Sequence, residues 1–209
     1  MITLFTSDTA NGQKAALMLE ECGLPHQRIA IDLQAGEHLA PAFLARNPLG
    51  KIPVLHDEDG PGGAAITISQ SAAIVRYLAG KTGLLLPSHP REAAMADQFA
   101  SLVSADLSAA FTGIFQFGVL PLALGEAPVQ TALDHFTAQA HRGLAVIDTR
   151  LNDSPWLAGS AMTYADVLAY PVARTSVRML GGDPLRGYPA IRRWATVIAA
   201  RPAARSVFV

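Results

Sequence analysis

Lys51-Ile52-Pro53-Val54-Leu55-His56 reads as a β-strand that opens on a proline. Asp57-Glu58-Asp59-Gly60-Pro61-Gly62-Gly63 follows as an acidic, glycine-rich hairpin loop, and Ala65 to Ile68 returns as the paired strand. Ser69-Gln70-Ser71 then leads into a helix carrying Ile74, Tyr77 and Leu78. Working back from this ββα unit, Ile2-Thr3-Leu4-Phe5-Thr6 is a short first strand, and Thr9-Ala10-Asn11-Gly12 is turn chemistry. A helix from about Gln13 to Cys22 puts Ala15, Met18, Leu19 and Cys22 on one face, and Gly23 and Pro25 stop it. His26 to Ile31 alternates as another strand, and Ala40-Pro41-Ala42-Phe43-Leu44 predicts a short helix. The order is βαβ, which calls for parallel strands joined by a crossover helix, then ββα, a hairpin with a covering helix.

The pattern changes near residue 85, beyond which every periodic stretch is helical. Leu84-Leu85-Leu86-Pro87-Ser88 reads as the linker. A long helix starts near His89-Pro90, with Ser88 as its expected N-cap, and ends near Phe117, before Pro121. The next helix opens at Pro128; Val129, Leu133, Phe136, Ala140, Leu144, Ile147 and Leu151 make the cleanest amphipathic stripe in the chain. Thr163 suits an N-cap, with Asp166 three residues on as the short analogue of a capping-box glutamate. Pro171 should kink that helix, and the last helix starts at Tyr188-Pro189 and carries Ile191, Trp194, Val197 and Ile198. The expected organisation is an α/β domain over residues 1–84 and an all-α bundle of about five helices over 85–209.

Composition narrows the function. Half of the 209 residues are hydrophobic and 16% are charged, which suffices for a packed core. A net charge of −1 gives no basic field to draw nucleic acid or anionic lipid. The N-terminus has no basic n-region, and the apolar runs are shorter than the about 18 residues of a membrane span. The single cysteine, Cys22, allows no intrachain disulfide, so the expected location is a reducing compartment such as the cytoplasm. Six scattered histidines lack metal-ligand spacing, and no metal is expected.

Three places carry the candidate chemistry. A cis Ile52-Pro53 bond would turn the Ile52 N–H and C=O outward, where an extended peptide could pair with them as an added strand. The alternative is an ordinary trans proline at a strand start, since only about 5–6% of X-Pro bonds are cis. Gln70-Ser71 offers a hydroxyl and helix-terminal N–H groups to a carboxylate, or simply a helix cap. Thr9 and Asn11, between the first strand and first helix, could donate to a thiolate at the positive helix end, or serve only as turn and cap residues.

Thr9-Ala10-Asn11-Gly12-Gln13-Lys14, Asn47-Pro48-Leu49-Gly50-Lys51-Ile52-Pro53-Val54-Leu55 and Ser69-Gln70-Ser71 together resemble the glutathione transferase superfamily. Met162-Thr163-Tyr164-Ala165-Asp166 and Gly187-Tyr188-Pro189 through Trp194 resemble that family's helical domain, so the likeness covers essentially the whole chain. The T-x-N-G-x-K start is similar to bacterial nu-class members and to yeast nitrogen-regulatory prion protein homologues. The resemblance implies a thioredoxin-like first domain, glutathione as co-substrate, and transferase activity with disulfide-bond reduction and weak peroxidase activity. It implies Thr9 and Asn11 at the glutathione sulfur, and Ile52 and Pro53 along the cysteinyl unit. Gln70 and Ser71 would then hold the γ-glutamyl end, and His38 and Lys51 the glycyl carboxylate. A small electrophile or disulfide is the expected second substrate, with Phe111, Phe115 and Phe117 as candidate apolar contacts or, alternatively, bundle core.

A homodimer is expected by analogy, with His135 where related chains place a basic residue from the partner subunit. Cys22 lies about 16 Å along the helix from Asn11, at the negative end, which disfavours a thiolate and predicts a buried structural thiol. A non-catalytic binding or assembly module on the same fold is the second functional reading.

Overall fold

The computed structural model describes residues 1–208, apart from the side chains of 176–178. Two compact units emerge, Met1–Leu86 with Ala200–Val209, and Pro87–Ala199.

The first unit contains β1 (Ile2–Thr6), α1 (Ala10–Glu21), β2 (His26–Ala30), α2 (Pro41–Leu44), β3 (Val54–Asp57), β4 (Ile66–Ser69) and α3 (Ser71–Thr82). The sheet order is β2-β1-β3-β4, with β1 parallel to β2 and antiparallel to β3, and β3 antiparallel to β4. This is the predicted α/β arrangement. Period-two alternation buries Ile2 and Leu4, while Ala15 to Leu19 of α1 and Ile74, Val75, Leu78 and Ala79 of α3 make the apolar faces of those two helices. Leu17, Met18 and Leu19 are each fully buried, worth about 1.5–3 kcal/mol apiece before cavity effects. A smaller cluster of Ile31, Phe43 and Val54, with Phe5 and Ile52 against it, seats α2.

The last helix, α10 (Pro202–Val207), packs on α1 of this first unit. Arg201 forks onto Glu21, with both bonds at 2.6 Å and the Glu21 side chain almost fully buried. The segment from Ala200 onward thus clusters with the α/β unit, whereas the sequence assigned it to the bundle.

The second unit is helical: α4 (Pro90–Ser101), α5 (Ser108–Ile114), α6 (Leu120–Ala123), α7 (Gln130–Asp153), α8 (Tyr164–Met179) and α9 (Pro189–Ala199). Two π-helical stretches, Leu102–Leu107 and Phe115–Val119, join α4, α5 and α6 into one helical run, Pro90–Ala123. The run does not stop before Pro121. Proline lacks the N–H that would bond the carbonyl four residues back, and the Phe117 carbonyl accepts instead from Val129 N–H at 2.9 Å. By length and composition this run is apolar enough to cross a membrane; one face of it packs into the second unit through Phe99, Val103, Leu107, Phe111 and Ile114. The N-cap is His89, whose Nδ1 accepts from Arg91 N–H at 3.2 Å, and not Ser88. Helix α7 begins two residues after Pro128, and α8 continues past Pro171.

Asp166 organises the second unit's polar interior. Its carboxylate accepts from Thr163 N–H (2.9 Å), Thr163 Oγ1 (3.2 Å), Leu157 N–H (3.1 Å) and Trp194 Nε1 (2.9 Å). The predicted capping interaction is present, extended by a tryptophan 28 residues away. Burial pushes the Asp166 carboxyl above its ordinary range against the pull of these four donors.

Candidate functional site

The sheet register brings the three candidate segments to one end of the first unit. Phe5 pairs with Val54, and Val54 with Ser69. Pro53 therefore precedes β3 where Gln70 follows β4, and the chain leaves β1 toward Thr9 at the same end.

The Ile52-Pro53 bond is cis. The Ile52 N–H and C=O have no hydrogen-bond partner among the described residues, so a strand-like ligand edge is available. Asn47, 3% exposed, fixes the approach to this bond: its Nδ2 donates to Lys51 O at 2.6 Å and its Oδ1 accepts from Leu49 N–H at 3.2 Å. Gly50 has φ +58°, and a Cβ there would stand 3.2 Å from His38 O. Glycine thus lets the 3-10 turn Glu37–Leu39, which carries His38, lie against the segment carrying Lys51. Lys51 is exposed, and the buried Nδ1 of half-buried His38 has no partner among the described residues.

Gln70 adopts φ 74°, ψ 114°, a conformation that costs a non-glycine residue about 1–3 kcal/mol. Such strain persists only where the surroundings impose it, and it accompanies the delivery of Ser71 to the first position of α3. Ser71 is therefore the first helical residue and not the cap. Its hydroxyl lies 3.4 Å from Asn11 Oδ1, which joins the start of α3 to the start of α1.

At α1, Thr9 is the N-cap, and its Oγ1 accepts from Gly12 N–H at 3.2 Å. Accepting that bond leaves the Thr9 hydroxyl proton to be donated outward. No acidic residue lies in the helix's first turn, so the positive end of its dipole is undiminished from within. A Cβ on Gly12 would lie 2.3 Å from both Ser7 O and Thr6 Oγ1; only glycine lets the helix start this close to the end of β1. Asn11 is exposed, and its Oδ1 accepts from Lys14 Nζ at 2.8 Å.

Lys14 closes the T-x-N-G-x-K motif, but sequence reasoning assigned it no role of its own. It is 1% exposed, and burial lowers its pKa to about 8. The signal was available: a lone cation immediately before the apolar stretch from Ala15 to Leu19.

Asp57 likewise had no role assigned from the sequence. Buried at the end of β3, it accepts from Tyr77 Oη at 2.7 Å and from Lys81 Nζ at 2.9 Å, both on α3. Burial opposes its charge, but these donors and the Asp59 N–H outweigh it and hold the carboxyl below its ordinary range. Tyr77 is correspondingly raised by burial and by Asp57. This staple ties the strand behind Pro53 to the helix behind Ser71.

Two expectations change. Phe111 is only 4% exposed and belongs to the helical core, which removes it as a substrate contact; Phe115, 41% exposed, stays available. Phe117 stacks on Phe136 with centroids 5.7 Å apart. Cys22 is half-buried at the C-cap of α1, its Sγ 3.4 Å from Thr82 Oγ1, and burial raises its pKa. It is therefore less enclosed than expected, yet no thiolate. His135 is exposed, within 2.7 Å of Gln139 Nε2. No cluster of metal-ligating side chains occurs among the described residues.

A β2-β1-β3-β4 sheet with a cis-proline before β3, followed by an all-α unit, defines a class of two-domain, thioredoxin-like proteins. Residues 10–81 match the "Glutathione S-transferase, N-terminal domain" family and residues 110–202 its "Glutathione S-transferase, C-terminal domain". The chain belongs to the glutathione S-transferase family. It is 34% identical to the disulfide-bond oxidoreductase YfcG of Escherichia coli over 97% of this chain and 92% of that one. A glutathione transferase family member from Pseudomonas fluorescens, solved with two glutathiones bound, superposes with a TM-score of 0.91 at 28% identity, covering 99% of this chain and 91% of that one. One from Pseudomonas putida, with a glutathione disulfide bound per subunit, gives 0.89 at 26% identity over 99% of this chain and 90% of that one.

Proposed function

We propose that the protein is a glutathione-dependent enzyme that turns the bound thiol into a thiolate and directs it at a disulfide or a small electrophile. The single observation that carries this reading is the meeting of an exposed Asn11 amide with Ser71, 3.4 Å away, at the end of the sheet where Ile52 leaves its main-chain groups unpaired. Glutathione would lie along Ile52 and Pro53. Its γ-glutamyl end would meet Gln70, Ser71 and the N–H groups opening α3, and its glycyl carboxylate would meet His38 and Lys51. The sulfur would accept from the Thr9 hydroxyl, the Asn11 amide and the positive end of α1. One unit of thiol pKa corresponds to about 1.4 kcal/mol, within reach of one such donor plus a helix end.

In disulfide reduction, the glutathione thiolate attacks one sulfur of the substrate, forming a mixed disulfide and releasing the other sulfur as a thiolate that takes up a proton. A second glutathione thiolate then attacks the mixed disulfide at its glutathione sulfur, giving glutathione disulfide and the second substrate thiol. The two electrons come from the two glutathiones, so no protein cysteine is needed. With a carbon electrophile, the same thiolate forms a thioether and displaces a leaving group. The likeness to YfcG supports the disulfide reaction and the transferase relatives support the second. A homodimer in the cytoplasm is part of the proposal, the dimer by analogy with the family and the location from the lone cysteine.

Retention on immobilised glutathione together with turnover of hydroxyethyl disulfide tests it. Binding without turnover of any disulfide, peroxide or aryl halide would establish the non-catalytic module instead.

A further inference from the structure

We infer that Lys14 is a positioning residue for the thiol chemistry: from beneath α1 it fixes the Asn11 amide so that the nitrogen, and not the oxygen, is presented to the ligand sulfur. The inference rests on the assignment of Asn11 as a thiol donor made above. An asparagine amide is nearly symmetric in shape, and either end can face outward. Only one end helps here, because the oxygen would repel a thiolate while the Nδ2–H groups stabilise it. The choice must therefore be made by a neighbour that can distinguish the two.

Lys14 is such a neighbour. An ammonium donates and cannot accept, so it selects the amide oxygen. Its Nζ lies 2.8 Å from Asn11 Oδ1, and the two residues stand three apart on the same helix face. The side chain is 1% exposed, so water does not dilute the preference. Ser71 Oγ stands 3.4 Å from the same oxygen, a longer contact that a ligand carboxylate would compete for. With Oδ1 held by Lys14, Nδ2 is the end left over, and it has no partner among the described residues. Burying a cation costs free energy, and its pKa, lowered to about 8 by burial, records that penalty.

The test is a double-mutant cycle on the full chain, using Lys14→Met and Asn11→Ala, with Lys14→Arg as the conservative variant. Three quantities are read: glutathione affinity by calorimetry, thiolate content of bound glutathione by ultraviolet difference absorbance, and kcat with hydroxyethyl disulfide. Lys14→Met should bind glutathione within about threefold of the parent, yet lose roughly tenfold in kcat and in thiolate content, the worth of one misdirected donor. Lys14→Arg should recover most of that loss. In an Asn11→Ala background, Lys14→Met should change nothing further. Full thiolate content in both Lys14→Met and Lys14→Gln, with Asn11→Ala impaired, overturns this inference and leaves the proposed function standing. A Lys14→Met loss that persists undiminished in the Asn11→Ala background also overturns it. Unimpaired Asn11→Ala removes the thiol site itself and this inference with it.

Discussion

Ser71 Oγ and Asn11 Oδ1, 60 residues apart in sequence, lie 3.4 Å from each other. The start of α3 and the start of α1 are thereby joined side chain to side chain, which brings the two proposed roles side by side. If Ser71 holds the γ-glutamyl end and Asn11 the sulfur, the two substitutions should separate kinetically. Asn11→Ala is expected to lower kcat/KM for hydroxyethyl disulfide roughly tenfold or more, mainly through kcat. Ser71→Ala is expected to raise KM for glutathione roughly three- to tenfold with kcat nearly intact. Steady-state kinetics over both substrates checks this; unchanged constants in both variants would remove the site.

Asp57 should be a stability residue with an acid signature. Asp57→Asn leaves Lys81 and Tyr77 without their carboxylate and should cost about 2–3 kcal/mol at pH 7, measured by urea unfolding. Its folded pKa lies below the ordinary value, so its contribution is present above the unfolded value of about 3.9 and is lost as pH falls through the folded value. The gap between parent and variant should therefore narrow as the medium is acidified below about pH 4.

Lys14 carries the opposite sign. Its pKa falls from 10.5 to about 8, so between these values the unfolded chain holds a proton that the folded chain has released. Stability should rise with pH across that window, by up to about 3 kcal/mol. Lys14→Met should abolish the rise. Unfolding midpoints at pH 7.5 and pH 9.5 for both proteins make the comparison.

Asp166→Ala removes the acceptor of four donors, two of them buried main-chain N–H groups, and should destabilise the helical unit by about 3 kcal/mol or more. Tryptophan fluorescence should report the loss, because Trp194 Nε1 is one of the four.

Local signals were legible in the sequence and distant ones were not. The hairpin between β3 and β4 and the Thr163–Asp166 cap depend on residues within a few positions, and the structure reproduces them; Asn11-Gly12, expected as a turn before a helix from Gln13, instead lies in the first turn of α1, which Thr9 caps. His89 displaced Ser88 as a cap because the imidazole reached the Arg91 N–H two residues on, a geometry that residue preferences do not encode. Pro121 failed to end its helix because Val129, eight residues later, took the carbonyl that proline abandoned. Phe111 and Phe115 are four residues apart with similar chemistry, and only packing decides that one is core and the other exposed. Lys14 was legible only as a motif residue and Asp57 only as part of an acidic loop, because each draws its meaning from burial, and burial is a property of the fold. How much of the site was named in advance is visible in Thr9, Asn11, Ile52 and Ser71, which the register of the sheet gathers at one end of the first unit; their roles toward glutathione await the kinetics above.

The Arg201–Glu21 fork and the docking of α10 on α1 carry a consequence for biosynthesis. The α/β unit is woven from two stretches of sequence that the whole helical unit separates. A ribosome that has released the α/β segment and even the whole bundle has still not supplied the piece that covers α1. The half made first is thus completed last, and a fragment ending at residue 86 would leave α1 with an uncovered flank.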